Sequence, residues 1–219
     1  EALNESSATP DMIRAMYDVS RQYNVGMSMH LAETNVRYQS TIDRFGKTPV
    51  GFLNDLGVLG SHLLLAHCVW LTKTDMALLS STGNVVYNSV SNQYLADGIA
   101  DIPSLLRAGI NVALGPDGAA SNNNLNMFNV IKSAVLLQRA NTLDVLSLTA
   151  EQALEMATIN GAKALGRKAG VLAAGWDADL IALDFDRPHL KPCHDVMENL
   201  VYSVKSSDVV LNMTGGKIL

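Results

Sequence analysis

Met27-Ser28-Met29-His30-Leu31-Ala32-Glu33 is the stretch on which the fold turns: an alternating strand that ends in an imidazole and a carboxylate. The same design recurs downstream in Leu63-Leu64-Leu65-Ala66-His67-Cys68 and in Ala113-Leu114-Gly115-Pro116-Asp117-Gly118. Each is a short apolar run that closes on a residue able to hold a metal or move a proton. Each is followed by a polar loop and a helical pattern. Chemistry delivered by the ends of successive strands suits a hydrolytic metal centre. Working outward, strand and helix signals alternate over the first 165 residues, the pattern of a parallel α/β sheet.

Around the first strand, Thr9-Pro10 opens a helix with a cap and a first-position proline. Met12, Met16, Val19 and Tyr23 then recur at helical spacing. Within Val25 to Leu31, the large residues Val25, Met27 and Met29 share one face, and Gly26, Ser28 and His30 share the other. Thr48-Pro49 opens a second helix. A strand from Leu63 to Cys68 puts Cys68 in the helix layer, and a helix over Asp75 to Ser81 stops at Gly83. Further strands are expected at Val85–Tyr87 and Ile110–Leu114, with a short helix Pro103–Ala108 between them. One later helix carries Phe128, Ile131 and Val135. Another opens on the capping box Thr149-x-x-Gln152 and runs on through Leu154 and Ala157 to Leu165. From about Gly170 turn chemistry leads into a strand, Leu180–Phe185, then a Pro/His-rich loop and a last strand-like segment, Val209–Leu219.

Composition excludes several classes. Of 219 residues 48% are hydrophobic and 17% charged, so the chain builds a core. A net charge of −5 without a Lys/Arg cluster argues against nucleic acid or anionic membrane as partner. The longest apolar run, Leu63 to Leu71, is broken by His67 and too short to span a bilayer. Cys68 and Cys193 form no disulfide framework, which favours a reducing compartment. We therefore expect a cytoplasmic protein. Because Glu1 is not a methionine, we also expect the natural N-terminus to lie upstream.

The candidate site residues are His30, Glu33, His67 and Asp117. A neutral imidazole at a strand end ligates divalent metal well, though His30 alone also reads as a hydrogen-bonded strand-end histidine. Glu33 can shuttle protons or sit as a solvated helix-start carboxylate. His67 reads as catalytic or as a satisfied core histidine, and Asp117 as functional or as an Asx turn. All four bland readings would have to hold together, on consecutive strands. Ser91-Asn92 and the Asp97-Gly98 turn are placed to touch substrate, but loop chemistry explains them equally well. Ser121 and Asn122 can contact a ligand or cap the next helix, and the cap is the preferred reading. His62, His189 and His194 lack a functional context.

Three segments resemble the amidohydrolase superfamily: His30-Leu-Ala-Glu33-Thr34, Ala66-His67-Cys68-Val69-Trp70-Leu71, and Leu114-Gly-Pro-Asp117-Gly-Ala-Ala-Ser-Asn-Asn-Asn-Leu. They look like the group of 5′-methylthioadenosine/S-adenosylhomocysteine deaminases and related chlorohydrolases. Ala157-Thr158-Ile159-Asn160-Gly161-Ala162 and Gly170-x-Leu-x-x-Gly175-x-x-Ala178-Asp179-Leu180 extend the match over nearly the whole chain. The resemblance implies the C-terminal half, strands five to eight, of a metal-dependent (β/α)8 TIM barrel plus part of a small β-sandwich. Residues 1–166 would be the catalytic half-barrel and residues 167–219 the sandwich appendage. It implies one divalent metal, Zn²⁺ or alternatively Fe²⁺, with His30 and Asp117 as ligands. It also implies Asp117 as base, Glu33 as proton shuttle, and His67 against the reacting water or substrate. Ser121 and the same Glu33 and His67 would line the substrate site. The implied substrate is a small aminopurine nucleoside. Dechlorination of an s-triazine-like ring is the alternative, and a non-catalytic truncated fragment another.

The departures are equally specific. The family's first-strand His-x-His pair has no counterpart, Pro116 stands where Thr is usual, and Tyr87-Asn88 where His-Asn is common. Half a barrel leaves two sheet edges and an inward face uncovered. With Leu63, Leu65, Val85 or Val86, and Ala113 placed on that face, we expect the chain to self-associate or to dock on a missing N-terminal half.

Overall fold

The computed structural model of the protein describes residues 4–80 and 83–219. Its elements start where short polar side chains can accept backbone N–H groups. Thr9 caps α1 (Pro10–Tyr23), Thr34 caps α2 (Asn35–Phe45) and Thr48 caps α3 (Pro49–Asp55), with β1 (Met27–Leu31) after α1. β2 (Leu63–His67) is followed by α4 (Lys73–Leu79), whose Thr72 and Asp75 form a reciprocal capping box. Asp75 also accepts from Thr48 Oγ1 at 2.5 Å, so one buried carboxylate ties the starts of α3 and α4 together. The expected end of α4 at Ser81 lies outside the described residues. Next come β3 (Asn84–Tyr87), α5 (Ser89–Tyr94), α6 (Ile102–Arg107) and β4 (Asn111–Leu114). α7 (Ala119–Asn122) and α8 (Met127–Thr142) lead to α9 (Ala150–Ala157) and α10 (Ile159–Ala164).

The four strands form one parallel sheet in the order β1-β2-β3-β4. Its register decides which residues share a face. Met27 and Met29 pair with Leu63 and Leu65, Leu65 with Val85, and Val85 with Val112. All of these are buried and pack under the helices. The opposite face carries the row His30, Ala66, Val86 and Ala113. This corrects the expectation for Leu63 and Leu65, which belong to the helix layer; Leu64 and Ala66 take the inward positions. It also relocates Tyr87. Its ring is in the core, its hydroxyl accepts from Gln138 Nε2 at 3.1 Å, and burial pushes its pKa up to about 12. The Tyr87 substitution therefore bears on packing under α8 and not on the site.

The helix expected from Thr149 to Leu165 is two. It breaks at Thr158 (φ −128°, ψ −91°), and Leu165 caps α10. The cause is a close approach by Gly170: a Cβ on it would lie 2.7 Å from both Thr158 C and Ile159 N. Beyond that turn stands a separate antiparallel sheet of β5 (Leu180–Leu183), β6 (Val209–Thr214) and β7 (Lys217–Ile218), in that order. The stretch read as a Pro/His-rich loop holds a 3-10 turn, Pro188–Leu190, and α11 (Val196–Tyr202), capped by Asp195. His189 Nε2 meets the buried Asp208 Oδ2 at 2.9 Å, a structural pairing. Among the described residues, no helix is long and apolar enough to cross a membrane.

Gly170 provides a test of this packing. It has φ +86° and no room for a side chain, whereas Gly166 has φ +65° and open space around it. Gly166→Ala should cost only the left-handed backbone penalty, about 1–2 kcal/mol. Gly170→Ala should cost that plus roughly 1–3 kcal/mol of overpacking. Urea unfolding of both variants checks the difference, and equal losses would remove the close approach as the cause of the helix break.

Candidate metal and proton-transfer site

The strand ends depart from regular backbone where the chemistry sits. Ala32, His67, Cys68 and Asp117 all have positive φ, at 49°, 72°, 51° and 62°. Simple alternation would send His67 to the helix layer with Leu63 and Leu65. The left-handed turn sends it to the mouth instead and delivers Cys68 to the core. The Cys68 thiol is fully buried, and burial pushes its pKa far above the usual range, so it is inert. The two turns are laced together: Val69 and Trp70 N–H both donate to the Ala32 carbonyl, at 3.1 and 3.0 Å. Ala32 N–H donates to Glu5 Oε1 at 2.9 Å.

His30, Glu33 and His67 converge, each offering a ligand atom within 4.8 Å of the others. The two imidazoles meet edge to face, with centroids 5.0 Å apart. Both lie 3.7 Å from a Glu33 oxygen, beyond hydrogen-bond length. His67 Nδ1 is 3.1 Å from Asn92 Oδ1, and only a protonated Nδ1 satisfies that contact. The buried Nε2, which has no hydrogen-bond partner among the described residues, therefore presents its lone pair to the mouth. Burial holds the His67 pKa below its ordinary value despite the Asn92 bond, so the ring is neutral. Arg37, one turn along α2, pairs with Glu33.

Asp117 is held apart from that trio, from the other side of the mouth. Its Oδ2 accepts from Ser91 Oγ at 2.5 Å and from Ser121 Oγ at 2.8 Å. Burial alone would raise its pKa, but these two hydroxyls, the Gly118 N–H and the nearby His67 outweigh it and hold the carboxyl below its usual value. Ser121 is inside α7 and does not cap the next helix. Asn126 caps α8, and Asn122 Nδ2 donates to Pro116 O at 2.6 Å. Asn88 spans the strand ends, accepting from His67 N–H and donating to Gly115 O, both at 3.4 Å.

Ser91 and Asn92 thus support the site directly, a role the sequence left level with loop chemistry. Glu5 carried no signal in the sequence, since its distance from the motifs along the chain says nothing about its turn contact, whereas the i, i+4 spacing of Glu33 and Arg37 was a signal that could have found Arg37. Two imidazoles, an ionised carboxylate and a second carboxylate at one mouth match the donor set of a borderline divalent ion. The partnerless Nε2 of His67 is the atom such a centre would occupy with water or ligand.

The amidohydrolase family model matches residues 5–219. Relatives include a 5′-deoxyadenosine deaminase of Methanosarcina barkeri, 43% identical over 98% of this chain and 50% of that protein. A 5-methylthioadenosine/S-adenosylhomocysteine deaminase of Syntrophobacter fumaroxidans is 41% identical over 97% and 49%. Among solved structures, a zinc-bound adenosine deaminase from Xanthomonas campestris superimposes with TM-score 0.96 at 30% identity, covering 99% of this chain and 50% of that one. A zinc complex of atrazine chlorohydrolase from Arthrobacter aurescens gives 0.91 at 27%, covering 96% and 47%. The chain spans about half the length of the curated relatives it matches.

The serine hydroxyls generate a prediction. Ser91→Ala should move the Asp117 titration upward toward about 3.9, read by carboxyl NMR. Because the folded-state pKa is depressed, the Ser91–Asp117 contribution to stability is complete above the unfolded value and is lost as pH falls through the folded one. The variant should therefore lose stability at neutral pH and converge with the wild type in acid. An unchanged Asp117 titration would remove Ser91 from this role.

Proposed function

The chain belongs to the amidohydrolase family, and from that premise we propose that it supplies the catalytic half of a metal-dependent deaminase of adenosine-type nucleosides. On this reading residues 1–166 are strands five to eight of a (β/α)8 barrel. Residues 167–219 are part of a β-sandwich. The companion half brings the remaining metal ligands and covers the inward face. The observation that carries the proposal is the convergence of His30, Glu33 and His67, with Nε2 of His67 buried and open to a ligand.

His30 and Asp117 would hold one divalent ion, zinc or iron. Such an ion, when bound, acidifies water and polarises the group under attack. Asp117, kept ionised by its two serine bonds, takes the proton of the attacking water. Glu33 delivers a proton to a ring nitrogen of the substrate and recovers one from the new C–OH group, while Asp117 passes the water proton to the amino group, which leaves as ammonia when its C–N bond breaks. Glu33 is paired with Arg37, and the pairing holds its side chain at the mouth. The neutral His67 orients the water through its Nε2 lone pair. Hydrolysis of a chlorinated triazine-type ring would use the same base but has less need of Glu33, whose place inside the trio favours a substrate with a basic ring nitrogen.

In the full-length protein Glu33→Gln should lower turnover by about 10²–10⁴ with metal content intact, while His30→Ala should lose metal as well. Near-normal turnover in Glu33→Gln would end the shuttle assignment. On this assignment His30 and Asp117 are the metal ligands within residues 1–219, fewer than the usual three. Residues 1–219 alone should therefore bind zinc substoichiometrically, deaminate nothing and self-associate. Elemental analysis, an ammonia-release assay and sedimentation check this, and stoichiometric zinc with turnover by a monomer would refute it.

A further inference from the structure

Asp97 lies just beyond α5, and its backbone is clamped on both sides by the site. Its N–H donates to the carbonyl of Asn92, the residue whose side chain holds His67, at 2.9 Å. Its carbonyl accepts from the indole N–H of Trp70, three residues after His67, also at 2.9 Å. Gly98 continues the turn at φ +122°, packed so closely that a Cβ would lie 2.9 Å from Val69 Cγ1. The chain is thus fixed where Asp97 stands. Its carboxyl group is nevertheless unsatisfied. The residue is 5% exposed, and Oδ2 is buried with no hydrogen-bond partner among the described residues.

A buried, partnerless carboxyl is costly and has to be accounted for. Plain turn chemistry does not account for it, because an Asx turn would engage the side chain with a nearby backbone N–H. Burial raises the Asp97 pKa, and the charges that act on it are those of His67, Arg37 and Asp117, all groups of the site. With its backbone bonded to Asn92 and Trp70, the carboxyl stands beside the elements that carry His67, lacking a donor among the described residues.

We propose that Asp97 is a substrate-recognition residue, whose carboxyl accepts a hydrogen bond from an N–H or O–H group of the bound nucleoside. The inference rests on the deaminase reading given above. Two parts of such a substrate carry the required donor: the amino group at the reacting carbon and the hydroxyls of the sugar. The chemistry is the same for both, and an analogue series separates them.

The experiment uses the full-length, metal-loaded protein, with Asp97→Ala and Asp97→Asn compared to wild type. Substrates are adenosine, 2′-deoxyadenosine, 3′-deoxyadenosine, 5′-deoxyadenosine and 6-chloropurine riboside, which lacks the amino N–H. Asp97→Ala should lower kcat/KM for adenosine by on the order of ten- to a hundredfold, the range for a hydrogen bond to a charged group. Asp97→Asn, which keeps an acceptor, should lose less. For the one analogue that lacks the recognised donor, the penalty should vanish, and that analogue identifies the donor. Thermal unfolding supplies a second readout. Removing an unpaired buried carboxyl should leave the midpoint equal or higher, the trade expected of a functional group. An equal penalty for every analogue would overturn the proposal. A lowered midpoint with unchanged selectivity would do the same, since both describe a merely structural residue. If the metal-loaded wild type turns over none of the amino-bearing nucleosides, the deaminase reading itself fails, and the inference with it.

Discussion

The structure depends on a backbone constraint at one end of its parallel sheet: the strands that carry chemistry end in left-handed turns built from residues with side chains. Of the eight non-glycine positive-φ residues among those described, Ala32, His67, Cys68 and Asp117 lie at these ends. Each such residue costs about 1–2 kcal/mol relative to ordinary backbone. Strain of this kind persists only where surrounding contacts over-determine it. Here the contacts are visible. Ala32 is held by Glu5 from one side and by Val69 and Trp70 from the other. Asn88 holds the peptide of His67 to that of Gly115, and Gly115 has no room for a Cβ because Val86 Cγ1 would lie 2.7 Å away. The return on the strain is direction. A regular strand offers a side chain every second residue to each face, whereas these turns bring His67 to the mouth and bury its neighbour Cys68.

That constraint also explains what could be read from the chain and what could not. Alternation of apolar residues located β1 to β4, and Thr-Pro and Thr-x-x-Gln signals located helix starts, because both are short-range. Face assignment along β1 followed from Met27 and Met29. Along β2 the same logic fails, since counting back from His67 in steps of two puts Leu63 and Leu65 on the inward face. The unseen variable was the φ of His67. The helix break at Thr158 was equally illegible, for its cause is the backbone of Gly170, which reaches it through space. Within the site, strand-end positions identified His30, Glu33, His67 and Asp117 as candidates. Their supports are Glu5, Arg37, Ser91 and Asn92. Glu5, Ser91 and Asn92 lie on other elements and become visible only when the sheet brings the elements together, whereas Arg37 stands one helical turn from Glu33.

The supports divide the mouth into two electrostatic halves. On the β1–β2 side, burial and an Asn92 bond leave His67 neutral, and Arg37 compensates Glu33. On the β4 side, hydroxyl donors rather than cations stabilise Asp117. The difference matters because a cation beside Asp117 would compete for the place of a divalent ion, whereas serine hydroxyls stabilise the carboxylate and leave its remaining lone pairs available. A neutral imidazole likewise keeps a lone pair that an imidazolium would lack. Both halves arrive at the same result by different means: acceptor atoms facing one space, with their other contacts satisfied from behind.

Among the described residues nine buried side-chain atoms lack a hydrogen-bond partner, and five of them, Glu5 Oε2, His67 Nε2, Asn92 Nδ2, Asp97 Oδ2 and Asn122 Oδ1, belong to residues that border or brace the mouth. In a packed interior such atoms are selected against, because each forfeits its hydrogen bonds to water without replacement. Their presence at the strained end of the sheet, opposite an apolar helix layer built on Met27, Leu65, Val85 and Val112, separates two tasks. One face of the sheet supplies the burial that holds the strands in register. The strand ends draw on that stability to keep bent backbone and unsatisfied acceptors in fixed positions, which is the physical condition for a site that acts on something other than itself.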